Sequence, residues 1–432
     1  MISKSSPESQ LNLFQAHFDQ LLDLKHPLII LANKIDWKRF DLALADCYSA
    51  DFGRPAKSTR LMVGLLYLKY TFDVSDEDLP TRWVENPYWQ YFCGYSYMQH
   101  EIPLDYTTII KWRSKVGSVR LEELLKETIA LALKEKQVTQ KELASVNIDT
   151  TVQEKNITYP TDAKLCFRAI EKLGKAAKER GLKLRQSYGR VSKQFAIKVA
   201  RYAHAKQFKR MRQAMRRLKT WLGRLLRDIG RKAGQPDEEL VRLLSLCRRV
   251  QAQQPKDTNK LYSLHEPQVQ CISKGKAHQR YEFGGKVAIA STNKSNWVLC
   301  AQALPGNPYD GHTLESTLTT VERVSGVAVA EAFVDKGYRG HGYTGAASIH
   351  ISGLGKTASP ALHRRKLRRS AIEPKIGHMK SDNRMWRCFL KGEIGDAINA
   401  VLSAAGSNMR KLLNCLGSFF ALLYLSLWYA DK

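Results

Sequence analysis

The sequence predicts an α/β protein: a mixed sheet with helices on its faces, an all-α region before it and a helical insertion within it. Three observations lead to this fold class. β-Branched, alternating residues at 145–153, 286–292 and 297–304 are typical of strands. A helical pattern and then a buried strand ending at Asp335 follow them. Between the first strand and the second lies a long basic helical stretch. This order predicts a sheet flanked by helices.

Residues 1–140 read as an N-terminal helical domain. Apolar residues recur with helical period at 11–24 and 60–72, and Asp105 or Thr107 is placed to cap a helix carrying Lys111 and Arg113. A short helical unit with a basic second helix is typical of a helix-turn-helix DNA reader. It is equally typical of a small helical bundle, so both interpretations stay open. Residues 1–12 are polar and lack the apolar core of a signal peptide.

The charge distribution indicates a polyanionic partner. The chain has 432 residues and a formal net charge of +28. Residues 164–260 hold 28 Lys and Arg against 7 Asp and Glu, so most of the excess lies in one segment. Such an excess favours binding to nucleic acid.

That segment reads as a basic helical insertion, residues 160–260, within a catalytic domain of residues 141–432. Apolar residues at alternating spacings of three and four predict a helical seam, with 167–173 and 240–250 as its partners; the seam is Phe208, Met211, Met215, Leu218, Leu222, Leu225 and Ile229. The outward face carries Arg212, Arg216, Arg217 and Lys219, with no acid between Lys206 and Arg227. It is either a solvated charged face or, as we predict, a surface that binds phosphate backbones.

Two acids lie at strand positions that Asp rarely occupies without a structural or functional cause. Asp149 lies inside the first strand, a disfavoured position unless the strand is an edge or the residue is functional. Asp335 closes a buried strand and precedes a turn. In a sheet flanked by helices, acids at strand ends face the crevice where ligands bind.

A third acid is found in the stretch 369–380. If this stretch is helical, Arg369, Glu373 and Lys380 fall near one face, so that one carboxylate is flanked by two cations. Such a carboxylate stays ionised and can bind a divalent metal. The alternatives are a solvated charged face, or a capping box in which Ser370 and Glu373 serve only the helix start.

Three converging carboxylates predict a metal-dependent phosphodiester chemistry. Asp149, Asp335 and Glu373 could hold two divalent cations about 3.5–4 Å apart, one activating the attacking oxygen and the other stabilising the leaving oxygen. Because the ligands are hard oxygens, we expect Mg²⁺, with Mn²⁺ as a substitute. The expected reaction is in-line substitution at phosphorus.

At these residues the sequence resembles bacterial insertion-sequence transposases of the IS4/IS5 type, which have a DDE catalytic domain of the RNase H-like fold. Residues 147–151 resemble the strand of the first Asp, residues 333–340 the strand of the second Asp, and residues 307–314 the loop entering the intervening helix. The positions of Arg369, Glu373 and Lys380 match the signature Tyr-x2-Arg-x3-Glu-x6-Lys. Residues 57–94 are similar to the N-terminal DNA-binding domain. The resemblance covers most of the chain.

The resemblance implies roles for individual residues. Asp149, Asp335 and Glu373 would be the metal ligands and catalytic acids, and Arg369 and Lys380 would hold phosphates of the terminal DNA. His312 would be a phosphate contact, with a capping or packing histidine as the alternative. The signature tyrosine is replaced by Lys366, and the insertion precedes Asp335.

We therefore expect a cut-and-paste transposase of a mobile element. It would bind terminal inverted repeats, cleave phosphodiesters, join the 3′-hydroxyl ends to target DNA, and act as a homodimer on double-stranded DNA in the bacterial cytoplasm. Two alternatives stay open: an RNase H-fold nuclease without strand transfer, and a catalytically decayed DNA-binding derivative.

The remaining features fit a cytosolic protein without a membrane span. The eight cysteines show no zinc-binding spacing and are expected to be reduced. The apolar run at 412–430 is nearly long enough to span a bilayer, but we expect a buried core helix because it contains Asn414, Gly417, Ser418 and Ser426.

Overall fold

A computed structural model describes residues 15–48, 56–273, 280–353 and 359–430, with side chains described up to residue 417 of the last helix. The prediction made for residues 1–12 lies outside these ranges. The α-helices are α1 Phe18–Leu21, α2 Pro27–Lys34, α3 Trp37–Leu44, α4 Thr59–Thr71, α5 Leu79–Glu85, α6 Pro87–Phe92, α7 Tyr106–Lys134, α8 Gln140–Leu143, α9 Asp162–Glu179, α10 Gly189–His204, α11 Phe208–Lys232, α12 Glu238–Ala252, α13 Leu314–Ser325, α14 Pro360–Arg368, α15 Ile372–Asp382 and α16 Gly392–Ala430.

The strands form one mixed sheet. They are β1 Ser145–Lys155, β2 Gln270–Ser273, β3 Tyr281–Thr292, β4 Val298–Leu304, β5 Glu331–Val334, β6 Ser348–Ile351 and β7 Arg387–Cys388. The order is β2-β3-β1-β5-β6, with β4 paired to β3 and β7 to β1. The β1/β5 and β5/β6 pairs are parallel, whereas β2/β3 and β3/β4 are antiparallel. The predicted mixed α/β class is confirmed.

The predicted strands are found, with changes of length. The strand predicted at 286–292 begins five residues earlier, at Tyr281, and the buried strand predicted to end at Asp335 is only Glu331–Val334. The residues just before this strand form the end of α13. Gly326 adopts a positive φ of 69°, and the Val327 N–H donates to the Ser325 side chain. A left-handed glycine after a helix is a common helix stop.

The chain divides into two compact units, residues 1–154 with 286–432, and residues 155–285. In the first unit the N-terminal helices share one hydrophobic core with the sheet and with α16. The packing of α16 on α4 is so close that a Cβ on Gly406 would lie 2.6 Å from backbone atoms of Tyr70. Buried polar side chains add specific links, such as the Tyr70 hydroxyl donating to Asn399 at 2.9 Å.

The helix predicted at 60–72 is confirmed as α4, whereas the helix predicted at 11–24 is only the four residues of α1, with 11–14 outside the described ranges. Asp105 caps α7, as its side chain accepts from the Thr107 N–H, and Gly117 breaks α7 internally with a φ of 76°. Lys111 is exposed. Arg113 is buried and donates twice to Asp76, at 3.0 Å each. Arg113 therefore does not belong to an exposed basic face, as the helix-turn-helix interpretation would require of it.

The second unit contains a bundle of α9, α10, α11 and α12. The predicted seam of α11 is buried from Leu218 to Ile229, against apolar residues of α9 and α12 as expected. The seam was wrong at its start, since Phe208 is 51% exposed. The buried cluster of this unit takes in α11 only from Leu218 onward, with Met215 partly buried against it.

The C-terminal apolar run is part of the long helix α16. Leu412 is buried, in agreement with the core-helix prediction, whereas the side chains from 418 onward lie outside the described set. Among the described residues no helix is long and apolar enough to cross a membrane. All eight cysteines are free thiols, as predicted.

Candidate active site

The parallel pairing of β1 with β5 brings two of the predicted acids to the same edge of the sheet. The paired residues end at Asn147 opposite Phe333. Asp149 and Asp335 each lie two residues further along their chains, so the register places them at equivalent positions. Adjacent strands are about 4.8 Å apart, which makes these carboxylates neighbours.

The third acid, Glu373, lies on α15. A single 3-10 turn, Arg369–Ala371, connects α14 to α15, and Glu373 lies in the first turn of α15. Pro374 does not interrupt the helix because the first turn needs no intrahelical N–H donor. The capping-box alternative is wrong: no side chain caps α15, and the Ser370 hydroxyl donates to the Leu367 carbonyl.

The guanidinium of Arg369 bridges all three acids. One Nη lies 2.7 Å from Asp149 Oδ2 and 3.9 Å from Asp335 Oδ2, and the other lies 2.9 Å from Glu373 Oε1. The Arg369 side chain is 12% exposed, and its Nε is buried without a hydrogen-bond partner. Glu373 is 60% exposed, so the cluster opens to solvent on the side of α15.

The donor chemistry of this cluster suits a hard divalent cation, because all three acids offer carboxylate oxygens. Among the described residues, however, no three His, Cys, Asp or Glu side chains are grouped closely enough to share one metal ion. Arg369 lies between the acids and compensates their charge. Binding of a metal by all three acids would therefore require the guanidinium to move.

The turn after β5 places a buried tyrosine beside the acids. Asp335 caps the 3-10 turn Lys336–Tyr338, and its Oδ1 accepts from the Gly337 N–H at 2.9 Å. The Tyr338 hydroxyl is buried and forms no hydrogen bond of acceptable geometry. Burial, then the nearby carboxylates of Asp310, Asp149 and Asp335, raise the pKa of Tyr338 far above its usual value. The phenol is therefore neutral.

Two buried asparagines that sequence reasoning missed hold the segment that carries Arg369. Asn147 Nδ2 donates to the Arg368 carbonyl at 3.2 Å, and Asn293 Nδ2 donates to Asn147 Oδ1 at 2.6 Å. Arg368 Nε donates back to the Asn293 carbonyl at 3.1 Å. The available signal was a second polar residue, Asn147, in the same strand as Asp149, where asparagine is also disfavoured.

The structure places the other two predicted residues of the first unit, Lys380 and His312, on different elements. Lys380 lies in the last turn of α15, two helical turns beyond Glu373. His312 is exposed in the 3-10 turn Asp310–Thr313, with its ring edge-on to Tyr309 at 5.4 Å. Both phosphate-binding roles stay predictions. Asp310 precedes Gly311, a sequence that by itself indicates only a turn residue. In the structure it accepts from the Thr150 hydroxyl at 2.8 Å and from Lys286 at 2.9 Å.

The predicted basic surface lies on α11 in the second unit. Arg212, Arg216 and Arg217 are exposed. Lys219 differs, because its Nζ donates to the Gln253 carbonyl at 2.6 Å. Lys219 therefore already has a hydrogen-bond partner within the protein, and the guanidinium of Arg217 lies 5.8 Å from the centre of the Phe195 ring.

Comparison with known proteins gives two findings. Residues 16–115 match the family model described as Transposase domain (DUF772). The chain is 48% identical over 205 residues to a Rhizobium meliloti protein described as "Uncharacterized protein ORF8 in nfe locus", and the match covers 47% of this chain and 99% of the relative. No solved structure matches the chain.

Proposed function

Starting from the premise that the chain belongs to the family of the uncharacterized Rhizobium meliloti ORF8 protein and is transposase-like, we propose that it is a DDE transposase of the IS4/IS5 type. It would bind the terminal inverted repeats of its mobile element, cleave the phosphodiester bonds there and join the 3′-hydroxyl ends to target DNA. The sheet that carries Asp149 and Asp335 would be of the RNase H-like fold. The protein would act in the bacterial cytoplasm, as a homodimer on DNA.

The observation that carries the proposal is the convergence of three acids from separate parts of the chain. Asp149 comes from β1, Asp335 from the end of β5 and Glu373 from α15, yet all three reach the guanidinium of Arg369. Three carboxylates held close together repel one another, which costs free energy. A hydrolytic or transfer site is the usual reason for such an arrangement. The transposase match at residues 16–115 supports the same class of protein.

In this proposal Asp149, Asp335 and Glu373 would hold Mg²⁺ or Mn²⁺. When bound, the metal ions would supply charge stabilisation at the reacting phosphate and a lowered pKa for the attacking water. Arg369 would leave the acids and form a bidentate contact with a DNA phosphate, the geometry its planar fork favours. Lys380 would add a point charge for a neighbouring phosphate.

The exposed arginines of α11 would bind the DNA backbone without reading its sequence. Arg212, Arg216 and Arg217 present positive charge in a stretch where no acid lies between Lys206 and Arg227. Contacts of this type depend strongly on salt and fix position rather than specificity.

Asp335→Ala tests the metal-ligand assignment. We expect binding to element-end DNA to stay within about twofold while Mg²⁺-dependent cleavage falls by at least about a thousandfold, in line with the loss of a principal catalytic group. Glu315→Ala, an exposed acid at the start of α13, is the matched control and should change neither. Equal loss of binding and cleavage in Asp335→Ala would contradict the assignment.

One observation favours a second candidate, a DNA-binding derivative without catalysis. Arg369 already compensates the three acids, and the described residues hold no three-ligand metal cluster. A protein of that kind would bind element ends independently of metal, and replacing any of the three acids would leave its activity unchanged.

A further inference from the structure

We propose that Asp310 is a positioning residue of the same site, which holds Asp149 in place through Thr150 and lies against the glycine turn of Asp335. The inference rests on the proposed function, and it adds a fourth acid to the three that the signature contains. Asp310 begins the 3-10 turn Asp310–Thr313, in the loop between β4 and α13.

The first link runs from Asp310 to Asp149. Asp310 Oδ1 accepts from the Thr150 hydroxyl at 2.8 Å, and the Thr150 N–H donates to Asp149 Oδ1 at 2.7 Å. One residue of β1 thus donates to both carboxylates. A shift of Asp310 would move Thr150 and, with it, Oδ1 of Asp149.

The second link runs from Asp310 to the turn after β5. A Cβ built on Gly337 would lie 3.2 Å from Asp310 Oδ2 and 3.0 Å from Asp335 Oδ1. Both carboxylates therefore flank the same glycine, whose N–H also donates to Asp335. A side chain at position 337 would be in contact tighter than ordinary van der Waals distance with both acids, so glycine allows this approach.

Lys286 fixes Asp310 in this position. Its ammonium donates to Asp310 Oδ1 at 2.9 Å and to the Pro308 carbonyl at 2.7 Å, and its side chain is only 9% exposed. A buried ammonium needs a counter-charge, and Asp310 supplies it. The pair anchors the loop to β3 and leaves Asp310 Oδ2 directed at the turn of Asp335.

The buried Tyr338 hydroxyl lies beside the same acids. It forms no hydrogen bond of acceptable geometry, and after burial itself the carboxylates of Asp310, Asp149 and Asp335 add to the rise of its pKa. The Thr313 hydroxyl donates to the Asp310 carbonyl at 2.7 Å and holds the turn that carries this carboxylate.

The test is the Mn²⁺ dependence of Asp310→Asn. Groups that orient metal ligands typically change metal affinity by about 10–100-fold when replaced. We expect the Mn²⁺ concentration for half-maximal cleavage of element-end DNA to rise by about 10–100-fold, and Mn²⁺ binding measured by electron paramagnetic resonance to weaken in parallel. DNA affinity should stay as in the wild type. Glu315→Gln is the matched control and should keep wild-type values.

Thr150→Val is a second test in case Asp310→Asn folds poorly, since it removes one neutral hydrogen-bond donor at similar side-chain volume. It should shift Mn²⁺ dependence in the same direction by a smaller factor. A lowered melting temperature with wild-type Mn²⁺ dependence in both variants would overturn the inference, because a merely structural residue would give that result. Absence of cleavage by the wild-type protein would instead contradict the proposed function.

Discussion

At the scale of single residues, Arg369 determines the state of the proposed site. Its guanidinium lies within ion-pair distance of Asp149, Asp335 and Glu373, so it neutralises part of the negative charge that a cation would otherwise neutralise. A side chain in this position competes with a metal for the same oxygens. DNA phosphate and metal binding would then favour each other, because a phosphate that attracts Arg369 releases the acids.

Arg369→Gln tests this competition. Without the competing cation, we expect the DNA-free protein to bind Mn²⁺ at least about tenfold more tightly, since a nearby opposite charge changes carboxylate equilibria by that order. Cleavage should nevertheless fall, because the phosphate clamp is lost. Mn²⁺ binding is measured by electron paramagnetic resonance. Arg364→Gln, an exposed arginine on α14, is the control, and weaker or unchanged Mn²⁺ binding in Arg369→Gln would contradict the competition.

The sequence predicts those contacts of the site that join residues close together in the chain, and not those that join distant residues. Arg369 and Glu373 are four residues apart on a predicted helix, so their pairing followed from helical periodicity. The link from Thr150 to Asp310 joins residues 160 positions apart. No periodic pattern encodes such a contact, and Asp310 beside Gly311 looked like an ordinary turn.

At the scale of elements, a buried charged network joins α4 to α7. Asp76 pairs with Lys69 and accepts two hydrogen bonds from Arg113, and the side chains of both cations are almost fully buried. Burial alone would raise the pKa of Asp76, but Lys69 and Arg113 outweigh it and lower the pKa from 3.8 to about 2. Burial lowers the pKa of Lys69 to about 7, against the opposing effect of Asp76.

Asp76→Asn should reduce the free energy of unfolding by about 3–5 kcal/mol, because it leaves the buried guanidinium of Arg113 without its counter-charge and forces the buried Lys69, whose pKa is already about 7, to lose its proton or stay charged alone. Chemical denaturation at neutral pH measures the loss. The stabilisation from the Asp76 carboxylate should be complete above pH 3.8 and disappear as the pH falls through about 2. Asp73→Asn, at an exposed pair with Arg384, should cost under about 1 kcal/mol. Equal effects of both substitutions would contradict this account.

The positions of the helices and strands were largely predictable from the sequence, whereas the burial of their individual side chains was not. The strands β1, β3 and β4 and much of the helical N-terminal region follow from local period and turn residues. The burial of Arg113 depends on Asp76, 37 residues earlier in the chain, and the exposure of Phe208 depends on how far α9 and α12 extend along α11. Both are tertiary facts that a helical pattern does not contain.

At the scale of the whole molecule, the excess positive charge is concentrated in the unit of residues 155–285. The chain carries +28, and α11 contributes an uninterrupted basic face. Two cations of α9 in the same unit are different, because Arg168 pairs with Glu171 and Lys175 with Glu179. Only unpaired charge attracts a polyanion strongly, so α11 is the expected DNA-binding helix of this unit.

Replacing Arg212, Arg216 and Arg217 together with Gln should flatten the salt dependence of DNA affinity. Each lost phosphate contact lowers the slope of log affinity against log salt by about 0.9, so three contacts give a change of about 2.7. Fluorescence anisotropy over a salt series measures the slope. The control, Arg168→Gln with Lys175→Gln and Arg180→Gln, removes equal charge at positions already paired with acids. A wild-type slope in the α11 variant would mean that this helix is only solvated.

The central claim is that three convergent acids cut and join DNA. Its most direct test is a cleavage-and-joining assay with Mg²⁺, the purified protein and DNA carrying the ends of its element, run beside Glu373→Gln. We predict that the wild-type protein cleaves the ends and joins them to target DNA, and that the variant binds DNA but does neither. Cleavage without joining would indicate a nuclease, and DNA binding without metal-dependent cleavage in either protein would contradict the claim.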